Sequence, residues 1–340
     1  MNQKLKRGFD FDEINFSSLK NKKLNEEKDF TADSDSNLAT DDIIDVIFVK
    51  MQTKGGFPSF SKQISDINKI LKLKYASAKD IANVIMKDFS LSNKLLKLVN
   101  SSFYGQFSKQ GISSVEKAMI ILGADQVQQA AASLMLFEHM QTNSHSNELK
   151  KIAVKTFMSG LIAKEIAEEK NFNDAEEFLI CAMFYKLGEN LVAFYFSEKR
   201  DIINKLATKI SLNKASIMVL GISYQQLGAG IAKKWGLPDN IVKSMRVKTP
   251  RKQALQKIDL SRVEKLGLLA SFSNDLCEIQ FSVKSNERNS IILNLIQDYH
   301  GRIDTGSEEI NNILKKITDK IKTHSSHLDI NTESCEELFK

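Results

Sequence analysis

An all-α fold, a bundle of many helices, is what the sequence predicts, and three observations predict it. Apolar residues recur at i, i+3, i+4 and i+7 in segment after segment, which lays one apolar stripe along each helix. Only 3 prolines occur in 340 residues. Strand-like alternation is scarce and no repeat period is present, so neither a layered sheet nor a solenoid is expected.

Composition narrows the class further. Hydrophobic residues make up 42% and charged residues 26%, ordinary values for a globular chain. The length suits one large domain with appendages, or two domains. No apolar run approaching the ~18 residues of a membrane span is expected, and residues 1–7 are cationic without an apolar stretch behind them, so neither a secretory signal nor a membrane span is expected and a cytoplasmic location is. Cys181, Cys277 and Cys335 are odd in number and widely spaced, against a disulfide framework or a thiolate zinc site.

In chain order, residues 1–41 mix Lys, Asn, Asp and Ser with few apolar anchors and read as a disordered tail. Helical patterning begins at Asp42 with Ile43, Ile44, Val46, Ile47 and Val49, and Gly55, Gly56 and Pro58 break it. Ile64, Ile67, Ile70 and Leu71 form one stripe; Ile81, Val84, Ile85 and Phe89 form another. Leu91, Leu95, Leu98 and Val99 form a third, with Ser90 placed to cap it and Asn100, Ser101 and Gly105 favouring exit from the helix. Ser113 and Glu116 read as a capping box ahead of Val115, Ala118, Met119 and Leu122, and Gly123 ends that helix. Val127, Ala130, Ala131, Leu134 and Met135 follow, then a polar loop from Gln141 to Asn147. A second helical half begins near Glu148.

The segment from Asp88 to Gly105 resembles the "D-x-x-L-S-x-x-L-L-x-L-x-N-S-x-x-Y-G" hallmark of HDOD domains, with Asn100, Ser101, Tyr104 and Gly105 at its polar end. Ser113 to Val127, including Gly123, resembles the family's "S-I-x-x-A-I-x-x-L-G" motif. The resemblance implies an all-α bundle of HD-like type with a preceding helical subdomain: residues 42–145 as the N-terminal helical half and 146–277 as a degenerate HD-like half. Residues 278–324 then read as C-terminal helices, with Ile310, Leu314, Ile317 and Ile321 on one stripe that docks on its own domain or on a partner. Residues 325–340 read as a loose tail.

HD hydrolases hold divalent metal with His and Asp side chains, the donors suited to such ions. None of the five histidines lies between residues 146 and 299. Lys155 stands where the resemblance places the first ligand His, and Tyr185-Lys186, followed by Gly188, stands where it places the His-Asp pair. In the stretch from Val219 to Gly228, which contains Gly221, Tyr224 replaces another His. The resemblance therefore implies no metal, no cofactor and no catalysis. Lys155, Tyr185, Lys186 and Tyr224 form a vestigial pocket with two readings: a site for a nucleotide or phosphate-bearing ligand, or two lysines snorkelling at a filled core edge. Trp235, followed by Pro238 in a "W-x-L-P" pattern, is expected to anchor the core.

The net charge is +6, and its densest basic cluster is Lys233, Lys234, Lys243, Arg246, Lys248, Arg251 and Lys252. A solvated face explains it as well as an acidic partner does, and no nucleic-acid motif or aromatic platform accompanies it. The acidic pairs Glu168-Glu169, Glu176-Glu177 and Glu308-Glu309 read as solvated helix faces. No phosphate-binding glycine loop, metalloprotease or nucleophile-elbow motif occurs. A regulatory protein of a bacterial signalling pathway, acting through protein contacts, is the expectation. A nucleotide sensor using the vestigial pocket is the alternative, and a residual metal-dependent phosphodiesterase comes third.

Overall fold

The computed structural model describes residues 36–54, single positions between 57 and 99, and residues 112–142, 147–247 and 259–324. Among these, every regular element is a helix. The all-α class is the one the apolar periodicity predicts.

Helix α1 spans Ser36–Gln52, so residues 36–41, grouped with the tail on composition, are helical. Leu38 and Ala39 are good helix formers, and burial of Ile44, Ile47 and Met51 further along supports a longer helix than the local polarity suggests. The hallmark motif residues Asn100, Ser101, Tyr104 and Gly105 lie outside the described residues. Of its stripe, Leu95 and Val99 are buried, as is Ile85 of the preceding stripe.

Helix α2 is Val115–Leu122, and its cap corrects the sequence reading by one residue. Ser114, in extended conformation, accepts the amide of Lys117, because the side chain three residues before a free amide is the one in reach. Gly123 closes the helix at φ 87°, a conformation that costs glycine little. Helix α3 is Ala124–Thr142; its buried Val127, Ala130, Ala131, Leu134 and Met135 face the next helix.

The second half is built on α4 (Asn147–Glu169), α5 (Ala175–Tyr185) and α11 (Arg262–Ser282), which pack against one another. Between them run α6 (Leu187–Tyr195), α7 (Ser197–Ala207), α8 (Leu212–Leu220), α9 (Tyr224–Lys234) and the short α10 (Asp239–Ser244). Buried polar side chains lock the central trio. Asn274 of α11 donates to the Ala182 carbonyl of α5 at 2.9 Å, and Asn190 of α6 donates to Thr156 Oγ1 of α4 at 3.2 Å. Each satisfies groups that would cost free energy if left bare.

The stretch Ala175–Tyr195 is more apolar than the sequence reading allowed. An 18-residue window in it reaches a mean hydropathy of 1.3. That window is 72% buried inside the protein, so its apolar surface belongs to the core.

Trp235 is 1% exposed, donates its indole N–H to Ser61 at 2.8 Å and packs on Phe57, whose other neighbours are Phe48 and Tyr195. One aromatic cluster thus joins α1, α6 and the end of α9. His139 of α3 stacks on Tyr195 with ring centroids 6.0 Å apart. Burial pushes its imidazole down to about 4, so it is neutral at ordinary pH.

The packed unit does not stop at Cys277. Helix α11 runs on to Ser282, and α12 (Ser285–Tyr299) and α13 (Ser307–His324) pack on the central trio. Ile310, Ile313, Leu314, Ile317 and Ile321 of α13 are all buried in the same apolar cluster. The amphipathic stripe docks on its own domain, because α4 offers it an apolar face of matching length.

Candidate functional site

The peptide between α5 and α6 breaks at Lys186, which sits at φ −95°, ψ 20° as the last residue of one helix and the first of the next. That is the sparsely populated bridge region, where site residues are common. The break turns Lys186 toward α11 and leaves Gly188 in the first turn of α6. A Cβ on Gly188 would sit 2.0 Å from the Tyr224 carbonyl oxygen and 2.8 Å from the Gly228 nitrogen. Only glycine lets α6 and α9 cross this closely.

Lys155 of α4 and Lys186 meet on one carboxylate. Lys155 Nζ donates to both oxygens of Glu278 at 3.0 Å, and Lys186 Nζ lies 4.0 Å from Glu278 Oε2. The Ser282 hydroxyl donates to the same carboxylate at 2.6 Å, and the Lys155 ammonium also lies 5.4 Å from the Phe281 ring centre. Burial tends to raise the Glu278 carboxyl, but the Ser282 hydrogen bond and the two ammonium groups outweigh it and hold the acid below its ordinary range.

Asp275 lies one turn before Glu278 on α11. Burial pushes its carboxyl up to about 6, while the Lys186 ammonium and a 3.3 Å hydrogen bond from the Tyr299 hydroxyl pull it down. The Tyr299 oxygen also lies 2.9 Å from the Ser271 hydroxyl, so α12 inserts a phenol beside the bracket. Burial alone would lower Lys186; the carboxylates of Glu189, Glu278 and Asp275 outweigh it and raise it. Lys186 therefore stays an ammonium. The arrangement is an internal ion bracket across α4, the α5–α6 break and α11.

The sequence-predicted pocket residues are thus placed unequally. Lys155 and Lys186 come together, joined through a residue the sequence reading missed. Tyr185 is half-buried against the core beside them. Tyr224, 7% exposed, lies across the Gly188 crossing, and its hydroxyl has no hydrogen-bond partner among the described residues. Burial, then the Glu189 carboxylate, pushes that hydroxyl above its ordinary value. The snorkelling picture is corrected: the lysines are held by an acid rather than merely reaching for water. Glu278 falls outside the boundary drawn at Cys277, and Asp275 sits inside the apolar run from Val263 to Leu276. The signal for both was an acid three and six residues after buried Phe272, on a helix otherwise facing the core.

The HD-type resemblance brings a divalent metal with it, and the donors here do not fit one. A protonated amine has no lone pair to offer, and two of the positions the resemblance would assign to ligands hold such amines. Among the described residues no group of three or more His, Cys, Asp or Glu side chains gathers in a metal-holding arrangement.

The other predicted residues have structural places. Gly221 ends α8 at φ 80°, and Pro238 precedes α10. Of the basic cluster, Lys248, Arg251 and Lys252 lie outside the described residues. Lys234 pairs with Asp45 of α1 and lies 5.6 Å from the Phe48 ring centre, and Lys243 pairs with Asp239 at 3.1 Å. Lys233 and Arg246 are exposed. The cluster is partly neutralised by an acid that sequence distance concealed.

Of the acidic pairs, Glu168, Glu169 and Glu308 are exposed as expected, whereas Glu176, Glu177 and Glu309 depart from a solvated face. Glu177 accepts two hydrogen bonds from Arg262, at 2.6 and 3.0 Å, and one from Asn240 at 3.0 Å. Glu176 is buried and lies 3.3 Å from the buried Lys164. Glu309 of α13 pairs at 2.7 Å with Lys170, the residue just past the end of α4.

The helical bundle with its crossing at Gly188 and its broken α5–α6 helix is that of an HD-related protein. The chain belongs to the HDOD domain family, which matches residues 57–250. It is similar to an uncharacterized protein of Treponema pallidum (strain Nichols), 23% identical over 203 residues, which cover 56% of this chain and 37% of that protein; the match spans well under half of that relative's length. Among solved structures, it resembles an HDOD domain protein of unknown function from Geobacter sulfurreducens, with a TM-score of 0.56 and 17% identity over 86% of this chain and 98% of the other. It also resembles a Shewanella amazonensis protein provisionally described as a phosphohydrolase (TM-score 0.54, 17% identity, 82% and 93% covered). A third is a Marinobacter aquaeolei protein provisionally assigned to signal transduction (TM-score 0.52, 15% identity, 86% and 66% covered). At these identities the likeness establishes the fold.

Proposed function

We propose that this is a non-catalytic signal-transduction protein of a bacterial cytoplasm that acts through protein contacts. The Lys155–Glu278–Lys186 bracket carries this reading: two ammonium groups supply positive charge of the kind a metal would supply in an HD hydrolase, and the Glu278 carboxylate between them offsets half of it. The test uses the full-length chain. Metal content by plasma mass spectrometry is expected to be far below one manganese, iron or zinc per chain, with no turnover of bis-p-nitrophenyl phosphate. Stoichiometric metal with turnover would overturn the reading in favour of a phosphodiesterase. Recovery of a defined signalling protein on the tagged chain from its native cell, lost on dilution of the bait with untagged protein, is the positive arm.

A second reading is favoured by one observation. The buried Tyr224 hydroxyl without a hydrogen-bond partner among the described residues is a group that a nucleotide or phosphate-bearing ligand would satisfy. A thermal-shift screen with cyclic and linear nucleotides separates the readings: stabilisation that vanishes in Tyr224→Phe supports a sensor, and no shift leaves the protein-contact reading alone.

A further inference from the structure

Helix α1 is apolar on two sides. Its inner stripe, Ile44, Ile47 and Met51, is buried. That side is fixed to α9: a Cβ on Gly230 would sit 2.4 Å from Ile44 Cδ1, and Lys234 pairs with Asp45. The opposite stripe is Asp42, Val46 and Val49, with Thr53 in the turn that continues the helix. These positions recur at i, i+4, i+7 and i+11, which sets them along one line of the helix, and all four are exposed. Val46 is 39% and Val49 63% exposed. Valine suits such positions poorly, because branching at Cβ lowers its helix propensity and its side chain gains nothing from water. Two of them on the outer line of an anchored helix mark a contact surface.

The charges of α1 say what fits there. Asp41, Asp42 and Asp45 lie in its first half, while Lys50, and Lys54 just past its end, lie in the second. The line is therefore complementary to itself. A second α1 running antiparallel, with a two-fold axis level with the peptide between Ile47 and Phe48, brings Val46 of each copy level with Val49 of the other and Asp42 level with Thr53. Each acidic half then lies along a basic half, and the two helix dipoles oppose. Parallel pairing would set Asp42 against Asp42.

We propose that the outer line of α1 pairs with the same line of a second copy of this chain, antiparallel and about a two-fold axis. The 17-residue helix is about 26 Å long, and one such pair buries less than the roughly 800 Å² per partner of a standard interface. The dimer is therefore weak and reversible, formed where the chain is locally concentrated. The pairing stands on α1 alone and is independent of the bracket at Lys155.

The test is self-association of the full-length chain. In sedimentation equilibrium the mass is expected to rise from one chain toward two as protein is raised from about 5 to about 500 µM. V46A/V49A holds or improves the helix yet weakens association at least tenfold. D41K/D42K keeps the valines and also weakens it at least tenfold, because cation then meets cation. Thermal melts by circular dichroism check that both variants fold. Orientation is read by cross-linking in a Cys335→Ser background, where Cys181 and Cys277 are buried. A D42C chain and a T53C chain are oxidised apart and together, and a disulfide-linked dimer is expected only in the mixture. A single-chain mass at every concentration overturns the proposal, and so does a dimer that V46A/V49A leaves intact, which places the contact elsewhere. Cross-linking of the D42C chain with itself would mean parallel pairing and overturns the antiparallel arrangement.

Discussion

Lys186 and Gly188 are two residues apart, yet the regions they belong to obey different physics. At Gly188 two backbones meet with no room for a methyl group, and the contact is decided by sterics. At Lys186 the spacing is loose: its ammonium is 4.0 Å from Glu278 and 31% exposed, and the contact is decided by charge. The difference teaches that two neighbouring positions of one helix break can be fixed by unlike forces. The crossing tolerates one residue, whereas the bracket needs only net neutrality.

The largest expected effect is on the crossing. Gly188→Val should cost roughly 3 kcal/mol or more, the range of a badly overpacked core, read as a fall in the urea midpoint or as loss of folded protein. A cost below about 1 kcal/mol would show that α6 and α9 can part freely. Lys186→Met should cost less, about 2 kcal/mol at pH 8, because it strips the nearest cation from Asp275 while part of the site remains open to water. At pH 5 that cost should shrink, since Asp275 is then protonated; a cost unchanged with pH would detach Lys186 from Asp275.

Asp275→Asn sharpens the comparison through pH. A carboxyl raised to about 6 when folded binds more protons in the folded state than in the unfolded one. Its contribution to stability is therefore largest below about pH 4 and is lost as pH rises toward 6. Asp275→Asn should accordingly be more stable than wild type at pH 8, by on the order of 2 kcal/mol, and the two should converge below about pH 4. Urea titrations across that window decide it, and wild type more stable at every pH would mean that the charge is fully compensated. The smallest effect belongs to Lys155→Met: its pair is 26% and 47% exposed, so a loss of about 0.5 kcal/mol is expected at low salt, fading in 1 M salt.

In the second half the helical character was legible from the sequence, though not the bounds of the individual helices. Leu266, Leu269, Phe272 and Leu276 share a stripe whose period states its own structure, and Trp235 lies in the core where the "W-x-L-P" pattern placed it. Caps were legible to within a residue: Ser113 and Ser114 are chemically equivalent, and only the backbone path chooses between them.

What the sequence determined by itself is the helical class and the family, because periodicity and residue identity are local properties. What only the tertiary structure decided is who neutralises whom. Glu278 lies 123 residues from Lys155, Asp45 lies far from Lys234, and Glu309 reaches back to Lys170. Coulomb interactions depend on distance in space, and that distance does not exist until the helices pack.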